Sequence, residues 1–239
     1  MRSADIVICL LENGTVMGDV LFAGGVAKAP KPDALGIDMS SIQPAEARDH
    51  PARLNEIGIA HLDARVSGGT LGAEHGTLAI MAGGNAAAFE RAQTIFQVFG
   101  RATHVGPHGA GQLTKLAKLA NQMIVDITIG AVAEALLMCE KGGASMAKVK
   151  EAITGGFADS RILQVHRQRM VERDFTPHGR MSVQLKDLRN ALATAEEIGF
   201  DAPVNRLFEK LYSDGIEHGQ TDLDHAGLFV ERGSHNGMR

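Results

Sequence analysis

Two lysines and two amides lie at the start of a long predicted helix. Directly after the glycine-rich segment "GPHGAGQ", this group consists of Lys115, Lys118, Asn121 and Gln122. Spacings of three and four residues put the group on one helix face. A helix N-terminus favours anions, and an amine held there partly out of water has a pKa below its free value, which suits proton transfer. The group could therefore bind an anion and move a proton; a solvated polar face is the plain alternative.

The segment "DARVSGG" (63–69) is a second candidate for binding an anion. It ends a predicted strand and enters a loop with two adjacent glycines. The Ser67 hydroxyl and the backbone N–H groups of Gly68 and Gly69 can converge on a carboxylate, because glycines place no side chain in the way. A tight turn at the strand exit is the alternative interpretation.

The elements that must position these residues divide the chain into two halves. In the first half, strands alternate with helices, which predicts a mostly parallel sheet. The strands expected there are 4–11, 34–41, "IAHLDARVSGG" and "TLAIMAGG", with helices after Gly14, from Ser41 to near Gly58, and over "NAAAFERAQTIFQVFG". The second half predicts helices alone, over 111–141, 145–154, 162–173, 182–198 and 204–218, followed by a frayed tail at 231–239. We therefore expect a Rossmann-like α/β domain over 1–106 and an all-α domain over 107–239.

Composition excludes several classes of protein. The chain has 239 residues, 44% of them hydrophobic, and a formal net charge of −4, which indicates a globular protein with no basic surface for nucleic acid. Cys9 and Cys139 have no CxxC neighbour, so neither a disulfide framework nor a zinc site is expected, and no histidine spacing suggests another metal. No segment is expected to span a membrane. A cytoplasmic location follows as the expectation.

Taken together, these motifs resemble the β-hydroxyacid dehydrogenase family over nearly the whole chain. The family pattern has a "DAPVSGG" loop, a "GxGQxxK" helix and a "KDL" helix, which correspond here to 63–69, 109–121 and 186–188. The segments "GGFADSRILQVHRQRM" and "KLANQMIV" favour its tartronate semialdehyde reductase branch.

The resemblance implies hydride exchange between NAD or NADP and a small 3-hydroxy acid or its semialdehyde, in a homodimer or homotetramer. It implies that the lysine of the long helix exchanges a proton with the substrate oxygen. It implies substrate contacts from Ser67, Gly68, Gly69, Asn121 and Gln122, and cofactor contacts from Leu11, Ser41, Lys186 and Asp187.

The catalytic lysine has two candidates because "KLAKLAN" holds three residues more than the family pattern. Counting forward from the glycines selects Lys115, whereas counting back from Asn121 selects Lys118. Lys118 is favoured because packing downstream fixes the register, and Lys115 stays a rival because both lysines lie near the same helix face. A smaller departure is Arg65, where the family has proline.

A strand followed by GxGxxG and a helix, the unit that binds the dinucleotide pyrophosphate, is not found. "GAGQLT" follows "HVGPH" and has Thr114 where the third glycine belongs. The expectation is a chain shortened at its N-terminus that exposes an apolar sheet edge and binds cofactor weakly. The alternative function is a non-catalytic remnant that serves in oligomerisation or binds a small acid.

Overall fold

The computed structural model describes residues 4–11, 14–28, 31, 33–40, 44–107 and 111–238, apart from the side chains of 44–48 and 111–112. Two compact units are present, Met1–Lys118 and Leu119–Arg239. The division into domains at residue 106 stays a prediction.

The first unit is built on a five-stranded sheet whose strand order follows the chain. The strands are β1 (Ile6–Cys9), β2 (Leu35–Asp38), β3 (Ala60–Ser67), β4 (Leu78–Gly84) and β5 (Gly100–Gly106). All neighbouring strands pair in parallel except β3 and β4, which are antiparallel. The expectation of a mostly parallel sheet is confirmed, and β1 is an edge strand on which Ile8 is 39% exposed.

Helices cover this sheet and close its core. They are α1 (Gly14–Gly18), which continues as a π-helical turn (Asp19–Ala23), α2 (Pro44–Glu56), α3 (Gly69–Glu74) and α4 (Ala86–Phe99). The Asn85 side chain begins α4 by accepting a hydrogen bond from the Ala87 N–H at 2.8 Å, a frequent role of asparagine at this position. The buried face of α4, with Phe89 and Phe96, packs on residues of β2, β3 and β4 such as Ile37.

The second unit is helical throughout its described residues, apart from one isolated bridge between Arg180 and Asp224. Helix α5 (Gly111–Lys141) begins in the first unit and continues into the second. It is followed by α6 (Met146–Ile153), α7 (Arg161–Glu172), α8 (Met181–Glu197), α9 (Pro203–Glu217) and α10 (Leu228–His235). The five helices predicted from the sequence, α5 to α9, are confirmed to within a residue or two at each end.

Two expectations about the elements are wrong. Strand β5 was not anticipated, because "GRATHVG" mixes charged and small residues and becomes a strand by pairing with β4. The tail is not frayed: Glu231 is buried in α10, and Met238 packs on the core of the second unit.

The residues 113–141 are long and apolar enough to span a membrane by composition. Buried α5 residues such as Ile129 and Leu136 belong to the core of the second unit, so this stretch packs as a core helix.

Candidate active site

One face of β3 carries a buried ion pair behind the candidate substrate loop. Asp63, Arg65 and Ser67 alternate along the strand and therefore share a face. The Arg65 Nε lies 3.3 and 3.4 Å from the two carboxylate oxygens of Asp63. Burial raises the pKa of Asp63, while the positive charge of Arg65 opposes that effect. The arginine that replaces the proline of the family pattern is thus paired with the first residue of the motif.

The first turn of α5 is bound to the same strand. The Thr114 hydroxyl donates a short hydrogen bond to Asp63 Oδ2, and Thr114 is fully buried. The next residue, Lys115, is only 7% exposed, whereas Lys118 is half-buried. Both candidate lysines therefore stand on a helix that is anchored to β3, the strand that ends at Ser67.

The glycine loop after β3 adopts a backbone that other residues resist. Gly68 has φ 137° and Gly69 has φ 62°, both in the region that favours glycine. A Cβ at Gly68 would also lie 3.0 Å from the Leu78 Cδ2. Both glycines are exposed, and Ser67 is half-buried. The loop thus keeps backbone groups open at the carboxyl end of the strand.

The carboxyl ends of β1 and β2 are tied together by a second set of hydrogen bonds. The Leu11 N–H donates to Ser40 Oγ and the Ser40 N–H donates to Asp38 Oδ1, each at 2.8 Å. Burial raises the pKa of Asp38 to about 6, against the hydrogen bonds from Ser40. Ligands of open α/β sheets bind beyond the carboxyl ends of the strands. At this edge Leu10 is 68% exposed, which provides apolar surface; Ser41 lies outside the described residues.

In the second unit, the two predicted amides lie beside the "KDL" helix. The Asn121 Nδ2 donates to Gln122 Oε1 at 2.9 Å, and the Gln122 Nε2 donates to Asp187 Oδ2 at 2.7 Å. Lys186 is exposed, and its Nζ lies 3.5 Å from Asp187 Oδ1. The assignment of Lys186 and Asp187 to cofactor binding stays a prediction.

Sequence reasoning missed the continuation of this contact into the helix. The Gln122 Nε2 also donates to Gln184 Oε1 at 3.3 Å, and the Gln184 Nε2 lies 2.7 Å from His225 Nδ1. Burial, together with the nearby His166, lowers the pKa of His225 to about 4. No spacing in the sequence points to this cluster, because Gln184 and His225 are 41 positions apart.

Asp224 anchors the loops around His225. Its carboxylate lies 2.5 Å from Arg169 Nη1 and accepts hydrogen bonds from the backbone N–H groups of His178, Gly179 and Ala226. Burial would raise its pKa, but these bonds and the facing histidines hold the pKa well below its usual range.

His166, Asp224 and His225 could hold a metal ion by proximity, because one ligand atom from each lies within 4.8 Å of the others. No ligand spacing in the sequence predicts a metal site at this group. Because Arg169 and three backbone donors already bind the Asp224 carboxylate, its role in the structure is that of an anchor.

Two models of known protein families match the chain. Residues 109–230 match the family described as NAD-binding of NADP-dependent 3-hydroxyisobutyrate dehydrogenase. Residues 1–106 match the NAD binding domain of 6-phosphogluconate dehydrogenase. The chain is 40% identical over 229 residues to 2-hydroxy-3-oxopropionate reductase of Escherichia coli strain K12. This alignment covers 95% of this chain and 77% of the relative. The chain belongs to the β-hydroxyacid dehydrogenase family.

Solved structures agree with this membership. 3-Hydroxyisobutyrate dehydrogenase from Salmonella typhimurium superimposes with a TM-score of 0.83 at 26% identity, covering 95% of this chain and 79% of that one. The structure of 3-hydroxyisobutyrate dehydrogenase from Mycobacterium tuberculosis with L-serine superimposes with a TM-score of 0.80 at 30% identity. The superposition covers 96% of this chain and 79% of that one.

As a β-hydroxyacid dehydrogenase, the chain is an oxidoreductase that uses NAD or NADP and acts on 3-hydroxy acids. The expectation of weak cofactor binding finds no support, since residues 1–106 match an NAD-binding domain. The comparisons also give no support to the alternative of a non-catalytic remnant.

Proposed function

We propose that this enzyme reduces tartronate semialdehyde, or a closely similar semialdehyde, to its 3-hydroxy acid and catalyses the reverse oxidation. The observation that carries the proposal is the buried bond between Thr114 and Asp63, because it joins the helix of the candidate lysines to the strand that ends at Ser67. The 40% identity to 2-hydroxy-3-oxopropionate reductase supports the choice of substrate.

The loop of Ser67, Gly68 and Gly69 is proposed to bind the substrate carboxylate. A hydroxyl and backbone N–H groups are suitable donors for an anion, and the positive φ angles of both glycines keep side chains away from it. Holding the carboxylate orients the carbon that reacts, so that only one geometry of hydride exchange is favoured.

Lys118 is proposed as the residue that exchanges the proton. In reduction its ammonium donates a proton to the substrate oxygen as negative charge develops there, and in oxidation its amine accepts the hydroxyl proton. Partial exposure leaves the Lys118 side chain open to a substrate, whereas Lys115 is buried. Lys115 stays the rival candidate. Asn121, three residues after Lys118, places an amide beside it on α5.

The nicotinamide supplies the hydride exchange when it is bound. The residues at the carboxyl ends of β1 and β2 fit this group, because exposed Leu10 offers apolar surface for an aromatic ring and the backbone of Leu11 is fixed by Ser40. Leu11, Ser41, Lys186 and Asp187 are the proposed cofactor contacts.

A cytoplasmic location and a homodimer or homotetramer complete the proposal, with no nucleic acid or membrane as partner. Both cysteines are free thiols, which suits a reducing compartment. In the second unit Phe200, Val204 and Leu207 are each more than half exposed, which suits burial against another copy. Light scattering of the purified chain tests this, and a monomer at micromolar concentration would count against it.

The function is tested by titrating the purified chain with NADPH and NADH and then adding tartronate semialdehyde while following absorbance at the nicotinamide band. We expect saturable binding of at least one cofactor and loss of the band that depends on the semialdehyde. Glycolaldehyde, which lacks the carboxylate, serves as the matched control and should react far more slowly. Cofactor binding with no reaction of any 3-oxo acid would contradict the proposal.

A further inference from the structure

Two glutamine side chains of the second unit belong to one continuous chain of hydrogen bonds. It runs from Asn121 to Gln122 at 2.9 Å, from Gln122 to Gln184 at 3.3 Å, and from Gln184 to His225 at 2.7 Å. Asp187 binds Gln122 from the side at 2.7 Å. Each amide has a donor end and an acceptor end, so the orientation of one determines the orientation of the next.

Asp187 fixes this direction at the first link. A carboxylate has only acceptor atoms, so Gln122 must turn its Nε2 toward Asp187. The Gln122 Oε1 then faces Asn121 and can only accept, which obliges Asn121 to present its Nδ2. The end of the Asn121 amide outside this chain is therefore Oδ1, an acceptor.

His225 fixes the same direction from the far end. The Gln184 Oε1 accepts from Gln122, so the Gln184 Nε2 must donate to His225 Nδ1. That bond requires an Nδ1 without a proton, which places the ring proton on Nε2, 3.7 Å from Asp224 Oδ1. A lowered pKa keeps His225 neutral; the charged and titratable groups near it are His166, Arg169, His178 and Asp224.

We propose that Gln184 and Asp187 are positioning residues that orient the Asn121 amide through Gln122, so that Asn121 presents an oxygen beside the catalytic lysine. The inference rests on the proposed function of Lys118. The lysine ammonium and the substrate hydroxyl are both hydrogen-bond donors, so an amide oxygen can accept a hydrogen bond from either one. If the amide were reversed, its N–H groups would face these donors and no hydrogen bond could form. Gln184 is 4% exposed and acts only through Gln122.

The first test replaces Gln184 by methionine, which keeps its volume and removes both hydrogen bonds. We expect kcat to fall about 10-fold while KM for the semialdehyde changes less than about 2-fold, since Gln122 then loses one of the two acceptors that hold its amide in place, and substrate binding is not affected. Asn190→Ala, an exposed position on the same helix, is the matched control and should leave both constants unchanged. If the wild type is active and a folded Gln184→Met has an unchanged kcat, the positioning role is overturned while the proposed function is not.

Gln184→Glu separates positioning from packing. Its carboxylate still accepts from Gln122 but can no longer donate to His225, unless His225 takes up a proton and becomes the donor. We expect the kcat of this variant to approach that of wild type as the pH is lowered toward 6, whereas Gln184→Met stays slow throughout. Parallel pH profiles of the two variants would overturn the inference.

A measurement without turnover tests the direction of the chain itself. Long-range ¹H–¹⁵N spectra of the full chain labelled on histidine, with His225 assigned by loss of its signals in His225→Gln, distinguish the two ring tautomers. We expect the proton on Nε2 at pH 7. A proton on Nδ1 would overturn the inference even in an active enzyme. An inactive wild type with the expected tautomer would instead overturn the proposed function while upholding the hydrogen-bond direction.

Discussion

The Thr114 hydroxyl donates a hydrogen bond to the Asp63 carboxylate where both side chains are buried. Thr114 lies in the first turn of α5 and Asp63 lies within β3, so this bond fixes the start of the helix on the strand. Arg65 completes the group by pairing with the same carboxylate. The bond therefore determines where the lysines that follow Thr114 stand within the first unit.

Thr114→Val removes this bond and keeps the side-chain shape. A buried carboxylate that loses a donor costs about 1–3 kcal/mol, so we expect the free energy of unfolding to fall by that amount and kcat/KM to fall with it. Thr128→Val is the matched control, because the Thr128 hydroxyl donates to the backbone oxygen of Ile124 within the same helix. Urea denaturation gives the free energy. Equal effects of the two substitutions would contradict a special role for Thr114.

Lys118→Ala should lower kcat by about 10²–10⁴-fold, because the group that exchanges the proton is lost. Lys115→Ala should act on stability first, since Lys115 is buried, and Lys148→Ala on the surface should change neither. Steady-state kinetics and thermal melts of the three variants decide between the lysines. An active Lys118→Ala beside an inactive, fully folded Lys115→Ala would transfer the role to Lys115.

Gly68→Ala should damage the substrate loop. An alanine at φ 137° is strained, and its Cβ would lie 3.0 Å from Leu78. We expect a loss of stability of about 1–3 kcal/mol and a higher KM for the semialdehyde, with the Kd for NADPH little changed. Gly156→Ala, where φ is not positive, is the control. A raised Kd for NADPH with an unchanged KM would mean that this loop serves the cofactor instead.

The buried carboxyl group of Asp38 should make the stability of the folded protein depend on pH. Its pKa in the folded protein is about 6, above the ordinary value of 3.8, so folding favours the protonated form. The folded state binds more protons than the unfolded state between these values, and its stability therefore falls as the pH rises from about 4 to 6. Asp38→Asn keeps an acceptor for the Ser40 N–H and removes the charge. Above pH 6 we expect this variant to be more stable than wild type by up to about 3 kcal/mol, and near pH 4 to be equal to it. A difference independent of pH would contradict burial of the charge.

The sequence was informative wherever local pattern decides structure. Helix α5 was predicted with both ends correct, because its apolar periodicity stops at Gly142 and Gly143, where the chain turns. Strand β5 was missed because its stability comes from pairing with β4 and not from its own composition.

The candidate site shows the same limit. Ser67 and the lysines could be singled out from residue type and spacing, whereas their supporting contacts could not. Thr114 and Asp63 are 51 positions apart, and Gln184 and His225 are 41 apart, so only the folded chain brings them together.

Transfer of deuterium directly measures hydride exchange between the nicotinamide and a 3-hydroxy acid in this enzyme. The purified enzyme is incubated with tartronate semialdehyde and whichever of NADPH or NADH it binds, deuterated at the transferred position of C4, and the hydroxy acid is analysed by mass spectrometry. We expect one deuterium on the carbon of the former aldehyde, and a far slower rate of its transfer in Lys118→Ala. A product without deuterium, or no product despite bound cofactor, would contradict it.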